Sequence, residues 1–182
     1  MRFDITIRMM DEGRVPFAAI AQINIIDAKT PDPIRLVDEN GLIVSAMRND
    51  HPPVVDSYAF RFDADVKSVT FSGDTRHLPS LVGFAKNTDV LVHEAMLAKG
   101  LDYVMAKTKT SDDRLKNHLL EAHSFAEQAG QIAASANVGH LVLNHLITPE
   151  RAICSDADWQ AETRRSFDGR CSVGHDGMAI EF

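Results

Sequence analysis

The sequence predicts an α/β fold, and three features carry that expectation. Segments rich in β-branched and aromatic residues recur at about 42–48, 56–62 and 66–72, each bounded by Pro, Asp or Gly, as an antiparallel meander would be. Past Asp74 the apolar period lengthens: Leu78, Leu81, Val82 and Ala85 suit a short helix, and Asp89-Val90-Leu91-Val92-His93-Glu94 reads as a buried strand. A long helical pattern then leads into His140-Leu141-Val142-Leu143-Asn144, and alternation of strand and helix is the signature of this class.

Residues 1–40 read as an irregular lead-in, with a short helix near Val15 to Ala21, an apolar run from Ile20 to Ile26 and a Pro-Asp-Pro break at Pro31 to Pro33. The second division, 41–182, holds the elements above. Between the strand ending at Glu94 and the main helix, the polar stretch Lys107 to Asn117 suits a loop or a helix start. In the main helix Ala122, Phe125, Ala126, Ala129, Ile132, Ala133 and Ala136 recur at three- and four-residue steps. Ser124 with Glu127 predicts a capping box at its start, and Gly139 marks its end. A helix around Asp156 to Phe167, containing the lone Trp159, and a terminal hairpin across Asp176-Gly177 complete the expectation.

At 182 residues the chain can bury one sizeable core. Acidic residues exceed basic ones by 26 to 19, a formal net charge of −7, which argues against a surface given over to gripping nucleic acid while leaving room for a local basic channel. No apolar stretch has the length of a membrane span and Met1-Arg2-Phe3-Asp4 opens no signal peptide, so a cytoplasmic protein with no membrane partner is expected. Cys154 and Cys171 form no Cys-x-x-Cys pair, which points to reduced thiols.

Chemistry-bearing residues fall at the ends of the expected strands, where α/β proteins place their sites. Asp74, in Ser72-Gly73-Asp74-Thr75, closes an apolar run; its carboxylate suits either a bridge between two cations or a turn that caps a helix. His51 follows the first strand and precedes Pro52-Pro53, and His145 follows Asn144. Each suits a metal ligand, or else a surface loop histidine and a buried hydrogen-bonded one, respectively. His123 stands just before the expected helix start, where the positive helix end would make it a stronger acid, fit to protonate a leaving group; the alternative is a loop residue with no role. Glu94 could orient such a histidine through a carboxylate–imidazole hydrogen bond. His77, His93, His118, His140 and His175 read as structural or surface residues. Arg164, Arg165 and Arg170 could meet an anionic substrate, although a solvated helix face explains them too.

Taken in order, His51-Pro52-Pro53, Ser57-Tyr58-Ala59-Phe60-Arg61-Phe62, Ser72-Gly73-Asp74-Thr75, Leu91-Val92-His93-Glu94-Ala95, His123-Ser124 and Leu143-Asn144-His145-Leu146 resemble the metallo-β-lactamase superfamily, and within it the ribonuclease Z and arylsulfatase-like branch. The resemblance runs from about Gly41 to Phe182 and implies part of a four-layer αββα sandwich, its C-terminal portion, with a two-metal, usually zinc, site at one sheet edge. It implies that His51 binds one metal, Asp74 bridges both and His145 binds the other, with His123 as the catalytic histidine and Glu94 beside it. The family's His-x-His-x-Asp-His motif does not occur in this sequence.

What the resemblance implies for activity is a metal-dependent hydrolase that cleaves a sulfate, phosphate or carboxylic ester with a metal-bound hydroxide. The interval from His51 to Asp74 is too short for the protruding arm with which many relatives hold tRNA. With the acidic balance, this favours a small anionic ester substrate over the alternative, tRNA 3′-end processing. A third reading is an inactive, truncated or half-domain protein that needs a complementing N-terminal half, or that self-associates through an uncovered sheet face as a homo-oligomer.

Overall fold

The computed structural model describes residues 9–21, 25, 32–108, 112–148 and 150–182, and its frame is a mixed seven-stranded sheet. After a short helix α1 (Phe17–Ile20), the strands lie in the sheet in chain order: β1 (Ile34–Glu39), β2 (Leu42–Arg48), β3 (Tyr58–Ala64), β4 (Lys67–Phe71), β5 (Val90–Met96), β6 (His140–Ile147) and β7 (Arg170–Val173). The first four form the expected antiparallel meander. Asn40 and Gly41 turn β1 into β2 with φ of 52° and 79°, the two positive dihedrals that an Asn-Gly hairpin turn needs.

From β4 onward neighbours are parallel, so each connection must cross over the sheet. The crossovers carry α2 (Leu81–Phe84), α3 (Ala98–Thr108), α4 (Arg114–Ala122), α5 (Ala126–Ser135) and α6 (Asp156–Thr163). Leu81, Phe84, Ala129, Ile132, Ala133 and Trp159 from these helices pack with Met47, Ala59, Leu91, Leu141 and Leu143 of the strands in one core. Period-2 alternation sends Val69, Phe71, Val90, Val92 and Val142 to the opposite face. There Met178, Ile180 and Phe182 of the C-terminal tail line, with those residues, a cavity of about 1040 Å³. Phe62 and Phe71 meet edge to face at 5.9 Å and keep 37% and 40% of their surface exposed. That face is rich in apolar side chains and only partly covered.

Several expectations change. Regular pairing begins at Ile34, inside the stretch read as lead-in, because β1 supplies the outer partner of β2. Helix α1 falls within the expected span; most of the Ile20–Ile26 run, and Pro31, lie outside the described residues. The polar stretch 107–117 holds the end of α3 and the start of α4, two helices whose exposed faces weaken their periodicity. The Ser124–Glu127 capping box does not form. Phe125 caps α5 instead and donates its backbone N–H to Gln128 Oε1 at 2.8 Å, while Ser124 is drawn into other bonds. The terminal hairpin is absent too: Gly177 turns at φ 77°, but β7 has already paired parallel to β6 and the tail forms no strand.

Candidate functional site

The loop after β4 is shaped by Gly73, whose φ is +61°. A Cβ there would stand 2.6 Å from the carbonyl oxygen of Tyr58 and 2.8 Å from Asn49 Nδ2, so a glycine is required on steric as well as dihedral grounds. Asn49 Nδ2 donates to the carbonyls of Ser72 at 2.7 Å and Asp74 at 3.2 Å. The backbone N–H of Asp50 donates to Thr75 Oγ1 at 3.2 Å, and that of Arg76 to the Asp50 carbonyl at 2.9 Å. The segment ending in His51 is thereby fastened to the loop presenting Asp74.

His145 reaches the same edge by a backbone irregularity. β6 does not end at Asn144, as the apolar run implies, but continues to Ile147 with a register shift: Glu94 faces Asn144, Ala95 faces Leu146, and His145 is the extra residue. It adopts φ 41°, a left-handed conformation costing about 1–2 kcal/mol for a residue with a Cβ. Such bulges re-aim a side chain, often beside functional sites. Here the Nε2 of His145 comes to 3.4 Å from Asp74 Oδ2.

Glu94, 1% exposed, joins the remaining pieces. Its Oε1 accepts the backbone N–H of Thr75 at 3.1 Å and of Ser124 at 3.0 Å, and Ser124 Oγ donates to the Thr75 carbonyl at 2.8 Å. One carboxylate oxygen thus holds the Asp74 loop against the loop carrying His123, whose Nδ1 lies 3.3 Å from it. Glu94 Oε2 and His123 Nδ1 are buried without a hydrogen-bond partner. His123 caps the carboxyl end of α4, its N–H donating to the Leu119 carbonyl, and lies two residues ahead of the cap of α5. The helix-start argument for its acidity therefore loses its basis.

Around His123 the imidazoles cluster. Its ring centroid is 5.1 Å from that of His51 and 5.6 Å from that of His145, the latter stacked at 14°. His118, set aside from sequence, belongs here as well: α4 places its ring 6.0 Å from His51 and 6.3 Å from His123. It lies one helical turn before the buried Ala122 on the same face, which is the signal that could have found it. The other histidines serve differently. His93 is fully buried with Nδ1 2.7 Å from the Glu94 carbonyl oxygen, and burial lowers its pKa. His140 Nε2 lies 2.9 Å from Ser172 Oγ. Arg165 is engaged by Glu162 at 3.1 Å and Glu127 at 3.4 Å.

The donor chemistry fits a divalent cation. Two ligands held at 2.0–2.2 Å by a tetrahedral metal stand roughly 3.4 Å from each other, which is the His145–Asp74 separation. Among the described residues, ligand atoms of Glu94, His123 and His145 also lie within 4.8 Å of one another. A mixed imidazole and carboxylate set of this kind suits zinc and its neighbours better than calcium or magnesium.

No family model matches the chain. It is 31% identical over 163 residues to a protein of Mycobacterium tuberculosis (strain CDC 1551 / Oshkosh) provisionally named a ribonuclease Z, covering 85% of this chain and 69% of that one. It is equally similar to the ribonuclease Z of M. tuberculosis strain ATCC 25177 / H37Ra, of whose length it spans 57%. Among solved structures, the metallo-β-lactamase fold protein YhfI from Bacillus subtilis superposes with a TM-score of 0.61 at 23% identity, covering 84% of this chain and 54% of that chain. The short form of human tRNase Z gives 0.53 at 20% identity, covering 81% and 44%. At these identities the structural likeness speaks for the fold.

Proposed function

The chain belongs to the ribonuclease Z family, with the metallo-β-lactamase fold, and from that premise we propose that it forms the C-terminal portion of a metal-dependent phosphodiester hydrolase acting on RNA, with precursor tRNA as its substrate class. The observation that carries the reading is the convergence of His51, Asp74, His145, His123 and Glu94, from five separate segments, on one sheet edge. His51, Asp74 and His145 hold the metal, zinc by donor type, in this proposal. A bound zinc ion makes water a competent nucleophile at neutral pH.

The remaining side chains handle the leaving group. Glu94 Oε1, fixed by two backbone N–H donors, lies 3.3 Å from His123 Nδ1 and would orient the ring once that nitrogen carries a proton, so that Nε2 is the nitrogen left to give a proton to the departing oxygen as the phosphorus–oxygen bond breaks. Residues 41–182 act as the C-terminal portion of a longer domain, and the partly covered face of β4 to β6 is where the remaining portion, joined or supplied as a separate chain, would pack. The site of action in this reading is the cytoplasm. Among the described residues no helix is long and apolar enough to cross a membrane.

A second reading, hydrolysis of a small aryl sulfate or carboxylic ester, draws on the net charge of −7. Both are tested by incubating the chain with zinc, alone and with the N-terminal half of a mycobacterial relative, against precursor tRNA and against aryl sulfate and ester substrates. Salt-sensitive cleavage of the tRNA, lost in Asp74→Ala, is the expected result. Turnover of aryl substrates with intact tRNA would transfer the conclusion to the second reading.

A further inference from the structure

We propose that Asp50 and Arg76 are a positioning pair that sets the aim of His51 toward the metal. This rests on the metal-centre reading above and deepens it: the pair is assigned no contact with the ion, only control over where one ligand stands.

His51 lacks the support that a ligating imidazole ordinarily has. Such a ring donates its second N–H to a carboxylate or a carbonyl, which fixes its orientation. Among the described residues no hydrogen bond holds the His51 side chain, and its ring meets only other imidazoles, His118 at 6.0 Å and His123 at 5.1 Å. The aim of the ring is therefore inherited from the backbone that carries it. A zinc–nitrogen bond tolerates an error of about 0.2 Å, so that backbone has to be held closely.

Asp50, the residue before His51, is where it is held. Its N–H donates to Thr75 Oγ1 at 3.2 Å and its carbonyl accepts from the N–H of Arg76 at 2.9 Å. Two attachments on either side of one residue define an axis about which the His51 turn can still swing. The side chains add a third attachment away from that axis: Arg76 Nε and Nη2 both donate to Asp50 Oδ2, at 2.7 and 2.5 Å, in the range of charge-assisted bonds. The anchor is firm, because Thr75 is fully buried and its own N–H is bound by Glu94 Oε1 at 3.1 Å. His51 and Asp74 are thus referred to one another through Asp50, Thr75 and Arg76.

Charge gives the pair a signature. Acting through its field alone, Arg76 would oppose a divalent cation and Asp50 would favour it, so removing either would move affinity in opposite directions. Acting by position, both removals weaken binding. With side chains 49% and 35% exposed, the pair adds little to stability, which leaves affinity free to report its role.

The test is titration of the purified full chain with cobalt(II), read by the visible absorption that reports coordination number and ligand type, alongside urea unfolding of the metal-free protein. Asp50→Ala and Arg76→Ala are each expected to weaken cobalt binding by about 10- to 100-fold, the usual cost of losing an orienting partner, and to alter the spectrum, with unfolding midpoints close to the parent. The double variant is expected to be no weaker than either single one, as coupled residues are, and the reversed pair, Asp50→Arg with Arg76→Asp, to recover part of the affinity. Tighter binding in Arg76→Ala with weaker binding in Asp50→Ala would show a field effect and overturn the proposal. So would affinity and spectrum unchanged in both, or a fall in midpoint with the spectrum of the loaded site intact; in these cases a loss of binding in His51→Ala would leave the metal centre standing. If the parent takes up no cobalt, or if His51→Ala binds as the parent does, the place of His51 in the metal centre fails and the proposal with it.

Discussion

The Nε2 of His145 and the Oδ2 of Asp74 stand 3.4 Å apart, at the spacing of two ligands on one metal and beyond a good charged hydrogen bond. Each is held there by backbone that resists relaxation: Gly73 is pinned under the Tyr58 carbonyl, and His145 is bulged from a parallel ladder. The first prediction concerns metal content. Asp74→Ala removes the shared carboxylate and should reduce zinc, measured by elemental analysis after dialysis, from stoichiometric to trace amounts while the melting temperature of the metal-free protein stays within a few degrees of the parent. Zinc retained at full stoichiometry would place the ion on other residues.

The bulge separates stability from ligation. A left-handed residue with a Cβ costs about 1–2 kcal/mol, and glycine recovers most of that while losing roughly 0.5–1 kcal/mol to backbone entropy. His145→Gly should therefore leave metal-free stability unchanged or raise it by up to about 1 kcal/mol, and still lose metal. His145→Val, β-branched at the same dihedral, should be destabilised by about 1–2 kcal/mol. Urea unfolding of both variants measures the difference, and equal stabilities would show that the strain is absent.

Glu94 acts on both structure and chemistry, and two substitutions divide the roles. Gln keeps a carbonyl oxygen to accept from the N–H groups of Thr75 and Ser124, whereas Leu orphans both buried donors at about 1–3 kcal/mol each. Glu94→Gln should fold like the parent but lose at least about tenfold in turnover, the lower end of what orienting a proton donor is worth. Glu94→Leu should be several kcal/mol less stable. Comparable denaturation midpoints for the two would mean that the carboxylate does not hold the loops together.

Much of this architecture is legible in the sequence, for local reasons. Runs such as Val69-Thr70-Phe71 and Leu141-Val142-Leu143 declare themselves as strands, and Gly73 ahead of Asp74 announces a turn that presents a side chain. Long-range pairing is what escapes. No residue-level signal gives His145 a positive φ, because the bulge exists only in the register of β6 against β5. Ser124 looks like a helix cap, yet tertiary bonds to Thr75 and Glu94 capture it and Phe125 takes the position. In the sequence His118 is one polar residue among many on a polar helix, and only the docking of α4 beside His51 sets it apart.

The buried His140 sets a pH dependence of stability. Burial, followed by the charge of Arg170, lowers its folded pKa below the model-compound value of 6.5. Below about pH 6.5 the unfolded chain binds a proton that the folded chain resists, so stability falls as pH drops through that value and is fully present above it. His93, whose pKa burial also lowers, adds in the same direction. Thermal melts of the metal-free protein should show a declining midpoint from pH 7 to pH 5.5, and His140→Gln should flatten part of that slope. A slope unchanged by the substitution would exclude His140 as a contributor.

Gly73 offers a way to move Asp74 without touching it. Alanine there meets the Tyr58 carbonyl and Asn49 Nδ2 inside van der Waals contact and must also hold φ +61°. The Tyr58 carbonyl belongs to β3 and cannot withdraw, so the loop must give, and with it the Asn49 bonds to the Ser72 and Asp74 carbonyls. Gly73→Ala should cost about 1–3 kcal/mol in stability, and it should weaken zinc binding by at least about tenfold, as displacement of a ligand's support does. Asn49→Ala removes the same two bonds without the steric conflict, and a smaller loss of the same kind is expected for it. If zinc affinity holds in Gly73→Ala while stability falls, the carboxylate finds its position independently of the loop, and the strained turn serves the fold alone.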